Sequence, residues 1–274
     1  MKTVRGSSIL TLFGLLAFLA LFTAFVMIFS GPAFAGQQTE WVVYLPHVVV
    51  PQEPLDSYES DFTGSVEPWG AVRWKEGTVF TVEHYPGCDG GRCGCLDLAV
   101  ITPQTYVNVS PLIEGPQPPY DIRFRAKQNN IKDRVQYGMV FGADWQKGPC
   151  PGDNTGNCFN QYYEFRVLHR VLGADKFVQY RIRRIDGMDE NQNEAYFVTL
   201  LNWTQAAGVD AEDWIEWEVH YGSDGHMTIK ANGQEQEGSA YDDTYIDSLY
   251  FGIAARGGPY GNTEARFDEF SIFK

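Results

Sequence analysis

Tyr120-Asp121-Ile122-Arg123-Phe124-Arg125-Ala126-Lys127 is the stretch that decides the fold. Ile122, Phe124 and Ala126 fall on one side of an extended chain, and Asp121, Arg123, Arg125 and Lys127 on the other. A period of two marks a strand with one dry and one wet face. The same alternation recurs at Val135/Tyr137/Met139/Phe141, and at Tyr163/Phe165/Val167 opposite Tyr162/Glu164/Arg166. Val178/Tyr180/Ile182 oppose Gln179/Arg181/Arg183 in the same way, and further cases are Ile215/Trp217/Val219, Met227/Ile229/Ala231 and Leu249/Phe251/Ile253/Ala255. Ser223-Asp224-Gly225 and Asn232-Gly233 punctuate the later strands as hairpin turns. Between Phe267 and Phe270 the alternation slips, which predicts a β-bulge at Asp268-Glu269.

No long stretch of period 3.6 lies outside the N-terminal segment, and Asp210-Ala211-Glu212-Asp213 offers at most one helical turn. Without helices for crossover connections the sheets must be antiparallel. About a dozen short strands then imply an all-β, antiparallel two-sheet jelly-roll sandwich.

The N-terminus is read apart from the fold. Lys2 and Arg5 precede an apolar run from Ile9 to Phe29, followed by Ser30-Gly31-Pro32 and Ala33-Phe34-Ala35. This is the pattern of a secretory signal peptide over residues 1–35, cut between Ala35 and Gly36, which leaves no stable membrane span. The competing reading is an uncleaved anchor, since a helix of this length spans roughly 30 Å. Residues 36–57 read as a tail or linker, and 58–274 as a single β-sandwich domain. Within the tail, Trp41-Val42-Val43-Tyr44-Leu45-Pro46-His47-Val48-Val49-Val50 is apolar, and Pro46 rules out a central strand. An edge strand, a segment pairing with another chain, and a tail lying across the sandwich are its three readings.

The net charge of −14 argues against nucleic acid as a partner, because phosphate contacts need clustered Lys and Arg. The charge is uneven. Residues 121–184 carry 12 basic and 6 acidic side chains, between flanks that are both acidic. Either these charges pair with acids across strands, or they form one basic-leaning face.

Five cysteines stand at 88, 93, 95, 150 and 158, and export permits disulfides. Cys150 and Cys158 bracket a polar loop whose base a bridge would pin. Two of Cys88, Cys93 and Cys95 are expected to pair, leaving one thiol. Zinc is disfavoured there by the single short cluster and the lack of a neighbouring His.

Several motifs resemble concanavalin A-like, laminin G-like jelly rolls. They are Asp61-Phe62-Thr63-Gly64 with Trp69 and Trp74, the Tyr120–Lys127 strand, Tyr137-Gly138-Met139-Val140-Phe141 and Tyr162-Tyr163-Glu164-Phe165-Arg166-Val167. Trp217-Glu218-Val219, Asn232-Gly233 and Arg266-Phe267-Asp268-Glu269-Phe270-Ser271-Ile272 complete the order. The resemblance covers about 60–274 and is to a noncatalytic branch similar to keto-disaccharide hydrolase-like domains. It implies a sandwich whose first and last strands lie side by side, and a superfamily of sugar-binding modules, adhesion domains and glycosidases.

Glycosidases of that fold carry paired carboxylates on one strand. The nearest stretch here is Arg184-Ile185-Asp186-Gly187-Met188-Asp189-Glu190, where Arg184 stands in place of the first acid. Carbohydrate binding has better material, because sugar sites combine aromatic rings with forked hydrogen bonders. Trp145 beside Asp144 is the strongest candidate, with Tyr162, Glu164, Arg166, Arg181 and Arg183 lining the wet face nearby. Trp145 reads equally as a loop anchor packed on the sandwich edge. Calcium is the one cofactor the resemblance suggests. Asp144, Asp153, Asn154 and Asn157 are its candidate ligands, although a loop rich in Asp and Asn is also simply a loop. The expectation is an exported noncatalytic module that recognises an extracellular glycan. The alternatives are a glycoside hydrolase-like enzyme of the same fold and a surface or assembly protein pairing through residues 41–50.

Overall fold

The computed structural model describes residues 55–75, 77–88, 94–129, 132–147, 150, 157–189, 193–259 and 263–274. Residues 1–35, read as a signal peptide, the 41–50 segment, Cys93, Asp153 and Asn154 lie outside these residues. The first half of the described chain forms β1 (Ser57–Ser60), β2 (Gly70–Trp74), β3 (Phe80–Tyr85), β4 (Cys95–Val100), β5 (Tyr106–Ser110), β6 (Tyr120–Gln128), β7 (Gln136–Ala143), β8 (Trp145–Lys147) and β9 (Asn157–Phe159). The second half forms β10 (Tyr162–Leu172), β11 (Asp175–Gly187), β12 (Tyr196–Gln205), β13 (Ile215–Tyr221), β14 (His226–Ala231), β15 (Gln234–Glu235), β16 (Ala240–Tyr241), β17 (Tyr250–Arg256) and β18 (Thr263–Phe273).

The strands build two antiparallel sheets. One has nine strands, ordered β15-β14-β13-β6-β18-β4-β3, with β1 on β18 and β16 on β14. The other has seven, ordered β12-β11-β10-β7-β17-β5-β2. The fold is an all-β, antiparallel two-sheet jelly-roll sandwich, and its first described strand pairs with its last, Ser57 opposite Phe273. β8 and β9 form a separate two-stranded ribbon.

Alternation along each strand feeds one face of each sheet into the core. Ile122, Phe124 and Ala126 of β6 meet the Tyr137, Met139 and Phe141 side of β7, and all six are buried. Aromatic rings bridge the sheets: Trp217 of β13 lies 5.2 Å from Phe165 of β10, and Phe251 of β17 stacks on Phe270 of β18 at 5.4 Å. The bulge falls at Asp268, where the β18 register against β6 shifts between Phe267 and Glu269 and keeps both Phe267 and Phe270 inward. The β14–β15 turn places Asn232 at φ 49° and Gly233 at φ 76°, the two left-handed positions that a type I′ hairpin requires. Cys150 is bonded to Cys158, with Cα atoms 5.8 Å apart, and Cys88 to Cys95.

One expectation fails on β10. Alternation alone puts Tyr162, Glu164 and Arg166 on a wet face, yet both faces of the strand are buried from Tyr162 to His169. The reason is a second, smaller core on the outer side of the seven-stranded sheet. Phe159 of the ribbon and Met188 of the segment after β11 pack there over Tyr162, Val140 and Ile185.

Candidate functional site

Cross-strand register orders the outer face of the seven-stranded sheet into rows. Val140, Glu164 and Arg183 share one row, and Gly138, Arg166 and Arg181 the next. Gln136, Leu168 and Gln179 form a third, continued on the far side of Gln136 by Arg256 of β17. Moving along these rows, the face passes from the small core through a buried ion cluster to an open cleft.

The ion cluster consists of Glu164, Arg166, Arg183 and Glu194, whose side chains are 1%, 4%, 3% and 4% exposed. Arg183 Nη2 donates to Glu164 Oε2 at 2.6 Å and to Glu194 Oε2 at 2.5 Å. Arg166 Nη2 donates to Glu194 Oε1 at 3.1 Å and also to Glu164. Burial acts to raise the Glu194 carboxyl, but the guanidiniums of Arg166, Arg183 and Arg256 outweigh it and hold it well below the usual carboxylate range. Two carboxylates and two guanidiniums therefore satisfy one another out of water. Tyr162, Glu164, Arg166 and Arg183 belong to this closed layer and present no wet surface to a ligand.

Beside it the face opens into a cleft of about 310 Å³, lined by Gln136, Arg134, Arg170, Arg181, Trp203 and Arg256, among others. Of the expected glycan contacts, only Arg181 reaches it. Its guanidinium lies over the Trp203 ring, 4.4 Å from the centroid, and its Nε has no hydrogen-bond partner. Burial, with the like charges of Arg166 and Arg183, pushes Arg181 down to about 9. Burial and Arg166 push Arg256 down as well. Both remain cations at neutral pH. At the rim Arg170 Nε donates to Asp133 Oδ1 at 3.0 Å, and Arg134 Nε lies 3.4 Å from Asp133 Oδ2.

Trp145 sits elsewhere. It packs edge-on against Phe159, 5.9 Å between ring centroids, against the small core, as the loop-anchor reading had it. Asp144 accepts from Ser248 Oγ at 2.5 Å. Among the described residues no three His, Cys, Asp or Glu side chains converge on a point a metal would occupy. Asp153 and Asn154 lie outside these residues, as does the Asn157 side chain. The described donors therefore do not make up a calcium site, and no binding step runs through one. The described carboxylates of the glycosidase-like stretch are also engaged: Asp186 accepts from Arg184 Nε at 2.6 Å and from the Tyr245 hydroxyl at 2.7 Å, and Asp189 accepts from Asn193 Nδ2 at 2.9 Å.

Trp203, Arg256, Arg134, Arg170 and Glu194 were missed in the sequence. The run Tyr196-Phe197-Val198-Thr199-Leu200-Leu201-Asn202-Trp203-Thr204-Gln205 is rich in strand formers and marks β12, which carries the cleft's tryptophan.

No protein-family model and no curated protein sequence matches the chain. Among solved structures, a legume lectin-like domain from Entamoeba histolytica is similar at 14% identity, covering 76% of this chain and 91% of that one, TM-score 0.45. A protein of unknown function with a galectin-like fold from Bacillus subtilis is similar at 12% identity over 79% of this chain and 94% of its own, TM-score 0.46. A GH43 glycoside hydrolase is similar at 10% identity over 82% of this chain and 42% of its own, TM-score 0.48. These likenesses concern the fold alone.

Proposed function

We propose that this chain is an exported, noncatalytic carbohydrate-recognition module whose ligand binds in the Trp203 cleft on the outer face of the seven-stranded sheet. One observation carries the reading: half-buried Arg181 and Arg256 line an open cavity beside an indole, and their side chains make no described hydrogen bond or ion pair. The Arg181 fork is held against the Trp203 ring before any ligand arrives, so little of its side-chain entropy is lost on binding. A volume near the lower end of ligand pockets suits one or two sugar rings. The noncatalytic reading rests on the carboxylates nearest the cleft. Glu164 and Glu194 are buried between guanidiniums, where neither is placed to protonate a leaving oxygen. Export is supported by the N-terminal pattern and by two disulfides.

A glycan array on the purified chain, followed by titration of any hit against Trp203→Ala, tests the proposal. Loss of the indole should weaken binding about tenfold or more, because it removes apolar area and releases Arg181. Trp203 is half-exposed on an edge strand, so the melting temperature should hardly move. An array without hits, or a hit indifferent to Trp203→Ala, would overturn the assignment.

A further inference from the structure

Among the described residues, six arginines and three carboxylates gather at the ion cluster and the cleft of a chain whose net charge is −14. The carboxylates are all committed. Glu164 and Glu194 hold Arg166 and Arg183, and Asp133 is shared by Arg134 and Arg170. Arg181 and Arg256 are the two that make no direct ion pair among the described residues, although Glu194 attracts Arg256 through space, and both are drawn partly out of water by the cleft walls. Withdrawing a guanidinium from water costs free energy unless an anion meets it.

The chemistry of the lining narrows what could meet it. A neutral sugar offers hydroxyls that both donate and accept, so its site needs acceptors as well as donors. Here the guanidiniums are donors only. The side-chain acceptors in the lining are the amides of Gln104 and Gln136, and Gln136 Oε1 already accepts from Arg166 Nη1 at 3.3 Å. A surplus of forked, charged donors complements a group that only accepts and carries negative charge, and planar forks suit an oxyanion in particular.

Resting on the reading of the cleft as a glycan site, we infer that its ligand is an anionic sugar, a hexuronate or a sulfated sugar, whose oxyanion is held between Arg181 and Arg256. The bound anion supplies the direct ion pair that neither guanidinium makes among the described residues. Two consequences follow that a neutral site would not show. Binding weakens as salt rises, since charge attraction supplies much of it. Burial and the like charge of Arg166 outweigh the pull of Glu194 on Arg256, so removing that cation in the absence of ligand stabilises the fold, a trade of stability against function.

The test uses the full chain, its Arg256→Gln and Arg181→Gln variants, and Arg123→Gln as a control on the opposite sheet. Calorimetric titration is run with trigalacturonate, a heparin-derived disaccharide, neutral cellotriose, and polyacrylate as a non-sugar polyanion, at low and high salt. Expected is binding of at least one acidic sugar, at least tenfold weaker binding of cellotriose, and at least tenfold loss in Arg256→Gln and Arg181→Gln but not in Arg123→Gln. Unliganded Arg256→Gln should melt about 2–4 °C above the parent. Preference for trigalacturonate identifies a carboxylate ligand, and preference for the heparin disaccharide a sulfate.

Cellotriose binding as well as the acidic sugars, with Arg256→Gln unaffected, overturns the anionic inference and leaves the glycan reading standing. Polyacrylate matching the best acidic sugar, with loss in Arg256→Gln, supports the anion site and overturns the glycan reading. An equal loss in Arg123→Gln shows bulk attraction and overturns the site. A lower melting temperature for Arg256→Gln makes the guanidinium a structural partner, and the inference falls. Silence from all four probes ends both readings.

Discussion

The outer faces of the two sheets use the same residue types to opposite ends. On the nine-stranded sheet each basic strand lies beside an acidic one. Arg123 donates to Glu218 at 2.5 Å, and Glu218 also accepts from Lys230 at 2.6 Å. Arg125 donates to Asp268 at 2.5 Å. On the seven-stranded sheet basic β10 lies beside basic β11, so Arg166 stands directly opposite Arg181. Glu164 is the one acid within the paired stretch of β10, and the loop residue Glu194 must be brought in to balance even the buried arginines. The two readings of the basic block in the sequence are therefore both realised, one on each sheet. How far a strand is neutralised depends on its neighbour in the sheet as well as on its own composition.

The largest test of this contrast removes the imported acid. Glu194→Gln leaves Arg166 and Arg183 buried with a single carboxylate between them. Breaking a buried ion network from one side should cost about 3–5 kcal/mol, read from urea unfolding. An unchanged midpoint would mean that Glu194 is dispensable and the face already balanced.

Arg125→Gln probes the neutral sheet. It strands the Asp268 carboxylate, only 2% exposed, and should destabilise the fold by about 1–3 kcal/mol. This is opposite in sign to the stabilisation expected for Arg256→Gln. If both substitutions shift stability in the same direction, the two faces do not differ in charge balance.

The smallest effect lies where acids are in surplus. Burial, and then the Glu264 carboxylate, raise Asp97 to about 6 from an ordinary 3.8, with Arg266 only partly offsetting them. The folded state binds the proton more tightly, so this contribution is fully present below about pH 4 and is lost as pH rises through 6. Asp97→Asn should therefore melt above the parent at pH 7, by the equivalent of about 1–2 kcal/mol, and the gap should close towards pH 4. A gap that does not vary with pH would remove the charge explanation.

The strands and their parity were legible in the sequence because alternation is local: a side chain's face follows from its position along its own strand. Phe124, Tyr137, Phe165, Trp217 and Phe267 could all be turned inward on that ground, the bulge at Asp268 found from a slip in phase, and the Cys150–Cys158 bridge expected from the loop it closes. Parity says only which side a residue takes, and a sheet has two sides that different parts of the chain can cover. Tertiary structure decided that Phe159 and Met188 fold over Tyr162, that Glu194 reaches Arg166 and Arg183 from outside their strands, and that Trp203 and Arg256, 53 positions apart, close one cleft with Arg181. Those partners are set by sheet order and register, which arise from long-range pairing. No local periodicity encodes them.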